Sequence, residues 1–236
     1  MSKEVQEIEA AVRSYLGMNH RLVGIKILEE NVDGDPSASL RTGPSASRCG
    51  EPFGSAQGGP VEPSGHRHPA APMTFCRAVR EALAGKELVM GIDDLSCPSA
   101  ELCLGFREPL FVDVEPRIKS KTRTVRIGPL DGADVVLFVL DPEQVMIMSI
   151  LLGGIKAEFK GEMAICGEAV AKVYNEGEPN ISFLCSGARE LGGFEAHEVV
   201  LGLPYALFLE LPGRMSKFAS LSRSVRGSMS QLLRRL

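Results

Sequence analysis

Tryptophan is missing from this 236-residue sequence, and only 6% of its residues are aromatic. That scarcity argues against a surface on which nucleobases stack. Charge imbalance is missing too. A formal net charge of −4, with 24% charged residues, gives no whole-chain field that would draw a nucleic acid. Long apolar runs are also absent. The longest, Val145 to Leu152, falls far short of the ~20 residues that cross a bilayer, so no transmembrane segment is expected. The opening Met1-Ser2-Lys3-Glu4-Val5 has no apolar signal core, and the expected location is the cytoplasm. Thiols stay reduced there, so the six cysteines read as core fillers, metal or cluster ligands, or redox thiols, not as a disulfide framework. No Walker loop, dinucleotide fingerprint, His-Glu-x-x-His or Ser-His-Asp order occurs either.

What is present is a pattern that occurs twice. Cys97 to Phe106 and Cys185 to Phe194 both read Cys-x-x-Ala-x-x-x-x-Gly-Phe. Each copy has a cysteine upstream, Cys76 across a gap of 20 residues and Cys166 across one of 18. The surroundings repeat as well: a helix beginning near the first cysteine, a short strand, the second cysteine, then a short helix. Pro98 suits the first position of such a helix, where its missing N–H costs nothing. A cysteine in the place of Cys97 faces free amides at the helix start, which favours thiolate.

Four stretches divide the chain. Residues 1–32 hold an amphipathic helix through Val5, Ile8, Val12 and Leu16, stopped by Gly17, and the first core strand, Leu22 to Leu28. Residues 33–72 contain seven Gly, seven Pro and six Ser, and read as a flexible insertion carrying Cys49, His66 and His68. Residues 73–212 form the main domain with both half-sites. In it, Lys119 to Ile127 suggests an edge strand, and Ala133 to Leu140 is apolar throughout and expected to be central. Asp141 and Pro142 open a helix that stops at Gly153. Another begins at Pro204 and is expected to end near Leu211. Residues 213–236 carry six basic residues and no acids, with Phe218, Leu221, Val225, Met229, Leu232 and Leu236 at three- and four-residue steps, a basic amphipathic helix. It suits docking on the domain or on a second subunit, so a homodimer is plausible, or a membrane surface or partner. The fold class expected is α/β or α+β, a mixed sheet with flanking helices, formed as one domain from two related half-units.

Cys76, Cys97, Cys166 and Cys185 are the expected metal ligands. Each sits at a strand end or helix start, and two related halves would bring the pairs together. Cys103, within an apolar helix, reads as core. Four thiolates from separate segments suit an iron–sulfur cluster, with zinc as the alternative and redox or structural thiols also open. Zinc usually staples a small domain that lacks its own core, and this chain has ample apolar strands. Asn180 and Arg189 are the polar groups expected to bind a ligand beside the cysteines. Arg189 is always charged and donates in a fork, with a surface ion pair to Glu190 or Glu195 as its plainer use.

Read in order, Cys76, Cys97 with Leu104-Gly105-Phe106, Asp141 to Met146, Cys166, Gly177 to Ser182, and Cys185-Ser186-Gly187-Ala188-Arg189 resemble the prokaryotic domain of unknown function family 169, the uncharacterised ArCR family. Val200 to Tyr205 is similar to its closing strand and helix. Where family members often carry Cys-Ser-Asp, this chain has Cys166-Gly167-Glu168. The resemblance implies the cysteine quartet as a set and supplies no reaction. The functional expectation is a metal or iron–sulfur site, redox-active or binding a small ligand or electron partner. The alternative is a noncatalytic module with structural zinc or thiols.

Overall fold

Strand β4 (Val135–Leu140) is buried along its whole length, and its side chains alternate between two apolar layers. Val135, Leu137 and Val139 point into one, and Val136, Phe138 and Leu140 into the other. This is the two-residue period of a strand covered on both faces. The computed structural model describes residues 1–29, 68–110, 114–119, 121–158 and 164–233, with side chains as far as Ala219. Most of the expected insertion, including Cys49 and His66, lies outside the described residues.

In chain order the elements are α1 (Lys3–Leu16), β1 (Val23–Glu29), α2 (Phe75–Leu83), β2 (Leu88–Met90), α3 (Pro98–Cys103) and β3 (Thr122–Gly128). After β4 come α4 (Pro142–Leu152), a π-helix (Ile165–Ala171), α5 (Lys172–Glu176), β5 (Asn180–Ser182), α6 (Ser186–Glu190), β6 (Val199–Pro204) and α7 (Tyr205–Leu233). The six strands form one sheet in the order β2-β3-β1-β4-β6-β5, and every paired neighbour is antiparallel. The mixed sheet expected from the sequence is therefore corrected. The helices between strands do not carry the chain over to a parallel neighbour; the only parallel feature among the described residues is the isolated bridge Met73–Leu95.

Two further expectations change. Strand β3 is not at an edge: it pairs with β1 on one side and β2 on the other. Arg126 lies on the face opposite Val125 and Ile127 and donates to the Asp131 carbonyl at 3.2 Å. Helix α7 does not end near Leu211 but runs on through Pro212. Burial of Phe208 and Leu211 against α1, α4 and the sheet offsets the backbone bond that proline removes. The other helix signals hold. Asp141 accepts from Gln144 N at 2.8 Å, Gln144 returns a bond to Asp141 N at 3.0 Å, and Gly153 closes α4 with φ +79°.

One face of the sheet carries α1, α4 and α7; the opposite face carries α2, α3 and the π-helix. Among the described residues, the elements with cysteines all fall on the second face.

Candidate functional site

Local bonding explains how the thiols meet. Thr74 caps α2, its hydroxyl accepting from Arg77 N at 3.2 Å, which places Cys76 in the first turn. Met73 pairs with the turn before α3: its N–H donates to the Asp94 carbonyl at 2.9 Å and its carbonyl accepts from Ser96 N at 3.0 Å. That pairing sets Cys76 beside Cys97, the residue that opens α3. At the other end of α3, the Cys103 carbonyl accepts from Ile118 N at 2.8 Å, and Thr122 Oγ1 donates to the Leu104 carbonyl at 2.6 Å. Cys103 is thereby fixed, fully buried, against the π-helix that carries Cys166.

Cys185 is held by a less relaxed backbone. Leu184, immediately before it, has φ +69°, a left-handed conformation that costs a non-glycine residue about 1–2 kcal/mol. Its N–H donates to Ser182 Oγ at 3.2 Å, and its side chain is buried. Strain of this kind persists only where surrounding structure fixes it, and it gathers at functional sites. After α6 the chain lies directly on α2: a Cβ added at Gly192 would stand 3.1 Å from Cys76 Cβ and 2.4 Å from the Ala188 carbonyl oxygen.

All five described cysteines are free thiols, and all belong to or pack against one apolar cluster. Cys76, Cys103 and Cys166 are buried, while Cys97 and Cys185 are half-buried. The Cys76 thiol is hydrogen-bonded to Cys185. That bond, then burial, then the proximity of Cys185 and Cys97, push it well above the usual thiol range; the Ile165 amide, bonding to it, works the other way. Cys166 is hydrogen-bonded to Cys103, and that bond, burial and the neighbouring Cys103, Cys76 and Cys97 push it up as well. Both thiols are therefore neutral near pH 7. Cys76 thus neighbours Cys185 and Cys97, and Cys166 neighbours Cys76 and Cys97, while Cys103, read as core from the sequence and fully buried, is bonded to Cys166. Among the described residues, no set of three or more His, Cys, Asp or Glu has its donors placed to hold a metal ion with the side chains as they stand.

The π-helix ties the thiols to a buried polar group. All seven of its residues are buried, Glu168 among them. Asn180 in β5 donates through Nδ2 to Glu168 Oε2 at 2.9 Å and to the Glu168 carbonyl at 3.1 Å, and its Oδ1 accepts from Glu158 N at 3.2 Å. Lys172, one turn on and also buried, donates through Nζ to the Glu158 carbonyl at 3.1 Å. Asn180 thus spends its amide on holding the π-helix to the sheet. Arg189 spends its guanidinium on carbonyls, donating to Glu195 and, at 3.0 Å, to Phe183, which pins the segment before Cys185. No cue in the sequence distinguished the π-helix from an ordinary helix, and Glu168 was passed over because it departs from Cys-Ser-Asp.

The sequence profile of the domain of unknown function family 169, described as uncharacterised ArCR, matches residues 11–212. The chain belongs to this family. The match takes in every element from the middle of α1 to the first turns of α7, so all five described cysteines lie within the family domain. An uncharacterized protein of the archaeon Methanocaldococcus jannaschii is similar to the chain at 30% identity over 102 residues, 39% of this chain and 44% of the relative. The matched stretch is thus under half the length of that relative. No solved structure matches. No helix among the described residues is long and apolar enough to cross a membrane.

Proposed function

We propose that the thiol group on the π-helix face is the protein's functional centre and holds a thiophilic metal, an iron–sulfur cluster first and zinc second, with Cys76, Cys97, Cys166 and Cys185 as ligands. The observation that carries this reading is the convergence of thiols from α2, α3, the π-helix and α6 on one cluster, with Cys97 and Cys185 half-buried on its outer side. The influences that keep Cys76 and Cys166 protonated are burial and other thiols. A bound cation would reverse that balance, because a coordinating thiol gives up its proton to the metal's charge. An apolar layer on each face of the sheet gives the domain its own core, so a zinc staple is not needed for folding, and this favours a cluster. In this reading Asn180 and Arg189 are positioning residues: they fix the π-helix and the Cys185 segment, and leave the ligand to the sulfurs. A small ligand or an electron partner would approach on the side of Cys97 and Cys185, in a cytoplasmic setting.

The two related half-units belong to the same proposal. The sheet order supports it: β2-β3-β1 on one side of the β1–β4 pair is answered by β5-β6-β4 on the other. Register supports it too, since Leu88, Val89 and Met90 oppose Ile127, Arg126 and Val125 as Asn180, Ile181 and Ser182 oppose Gly202, Leu201 and Val200. A second reading, a noncatalytic module whose thiols are structural, is favoured by the fully buried Cys103–Cys166 pair.

Anaerobic purification with absorption and metal analysis tests the proposal. A broad band near ~400 nm with bound iron and sulfide is expected. Serine at any one of the four ligand positions should remove it, while Cys103→Ala should reduce stability and keep the band. A colourless protein carrying zinc replaces the cluster with the alternative, and a folded protein with neither overturns the metal reading.

A further inference from the structure

The thiol centre uses only the start of α2, where Cys76 sits in the first turn. The other end of that helix helps to enclose a cavity of about 490 Å³. Its remaining walls are Arg21 and Leu22 ahead of β1, the β3–β4 turn at Leu130, and one face of α1 with Glu9 and Arg13. That volume lies within the roughly 300–1,000 Å³ of small-molecule sites.

Two opposite charges on the α1 face stand ready to pair and do not. Glu9 and Arg13 are one helical turn apart, the spacing at which a glutamate and an arginine ordinarily meet. Each is turned instead to the connection between α1 and β1. Glu9 Oε1 accepts from Leu22 N at 3.1 Å, and Arg13 Nη2 donates to the Asn19 carbonyl at 3.1 Å. Glu9 is only 8% exposed, and its Oε2 is unpaired among the described residues. Arg13 Nε is buried and also unpaired among them, a deficit that native structures normally fill with a partner. One connection thus holds an acceptor and a donor apart on the wall of one cavity.

Arg21 adds a second guanidinium. It extends to the turn after α2, where a Cβ placed on Gly85 would lie 3.5 Å from Arg21 Nη1. Among the described residues it makes no hydrogen bond or ion pair. Lys86 and Glu87 also line the cavity, and Lys86 is paired with Glu81 at 3.1 Å.

We propose that this cavity binds a small zwitterion of the α-amino acid class, its carboxylate on Arg13 and Arg21 and its ammonium on Glu9. A guanidinium presents a carboxylate with parallel N–H donors, and an ionised carboxylate accepts strongly from an ammonium. Residues four apart on a helix have Cβ atoms about 5–6 Å from each other, which suits a ligand whose two charged groups share one carbon. Inorganic phosphate or a plain carboxylic acid would answer the guanidiniums but set its charge against Glu9. A simple amine would answer Glu9 and leave the guanidiniums unused.

Thermal melts of the full chain with each common α-amino acid at about 10 mM test this, with calorimetric titration of the best one. At least one amino acid should raise the melting temperature by about 3 °C. Its analogues lacking the amino group or the carboxylate should each bind at least ~10-fold more weakly. Glu9→Gln keeps an acceptor for Leu22 N. It should weaken the amino acid at least ~10-fold and leave the affinity of the des-amino analogue unchanged or improved. Arg21→Gln should weaken both ligands and leave the melting temperature of the ligand-free protein unchanged, since Arg21 is exposed. Lys156→Gln removes the same charge from a side chain that is 79% exposed and outside the cavity, and should alter neither affinity. If no amino acid shifts the melt, the proposal fails. Binding that Glu9→Gln and Arg21→Gln both leave intact also overturns it, as does inorganic phosphate or the des-amino analogue binding as tightly as the amino acid.

Discussion

Asn180 Nδ2 donates to Glu168 Oε2 at 2.9 Å across the join between β5 and the π-helix, and both residues are buried. Replacing Asn180 by alanine removes this donor from a buried carboxylate and frees the Glu158 amide. The expected loss is about 3 kcal/mol in urea or guanidinium unfolding. Asn180→Asp should be worse, since it sets a second carboxylate against the first. An unchanged unfolding midpoint for both would mean that the bond does not hold the π-helix in place.

Gly202 in β6 faces the same helix at closer range. A Cβ there would lie 1.9 Å from the Ala169 carbonyl oxygen, a backbone atom that cannot swing away. The glycine is needed for space alone; it is not among the residues with positive φ. Gly202→Ala should push the π-helix off the sheet and cost about 3 kcal/mol. It should also expose Cys166 to alkylation by iodoacetamide, from which the parent protein protects it.

A pH titration of metal-free protein reads the thiols directly. Cys76 and Cys166 are raised in the folded state, while in the unfolded chain they return to the ordinary range near ~8.5. Below that pH both states hold the protons and stability is at its full value. Above it the unfolded chain releases protons that the folded one keeps, so stability falls with rising pH. The slope is about 1.4 kcal/mol per pH unit for each such thiol. Cys76→Ala with Cys166→Ala should flatten the decline between roughly pH 9 and 10. A decline of equal steepness in this variant would assign it to other groups.

Much of this fold was legible because its signals are local. Apolar runs marked β1 and β4, Asp141 and Pro142 marked the start of α4, and Gly17 and Gly153 marked helix ends. The lateral place of β3 was not legible. Alternation says that one face of a strand is wetter, and Arg126 lies opposite the buried Val125 and Ile127, but it does not say how many neighbours the strand has. The length of α7 was hidden by Pro212, whose local cost is outweighed by packing from α1 and α4. At the site, the repeat and spacing drew attention to four cysteines, of which Cys76 lies by Cys185 and Cys97, and Cys166 by Cys76 and Cys97. Cys103, read as core from its apolar helix, is fully buried; its bond to Cys166 had no cue, since its counterpart in the second copy is the exposed Leu191.

The π-helix makes chain length itself a variable at this site. Helical side chains turn by about 100° per residue, so deleting one residue between Ile165 and Ala171 would rotate everything on one side of the cut by that angle. Cys166 faces the thiols and Glu168 faces Asn180 only with the present count. Sequences that keep both side chains but close the segment by one position would retain the composition of the site and lose its geometry.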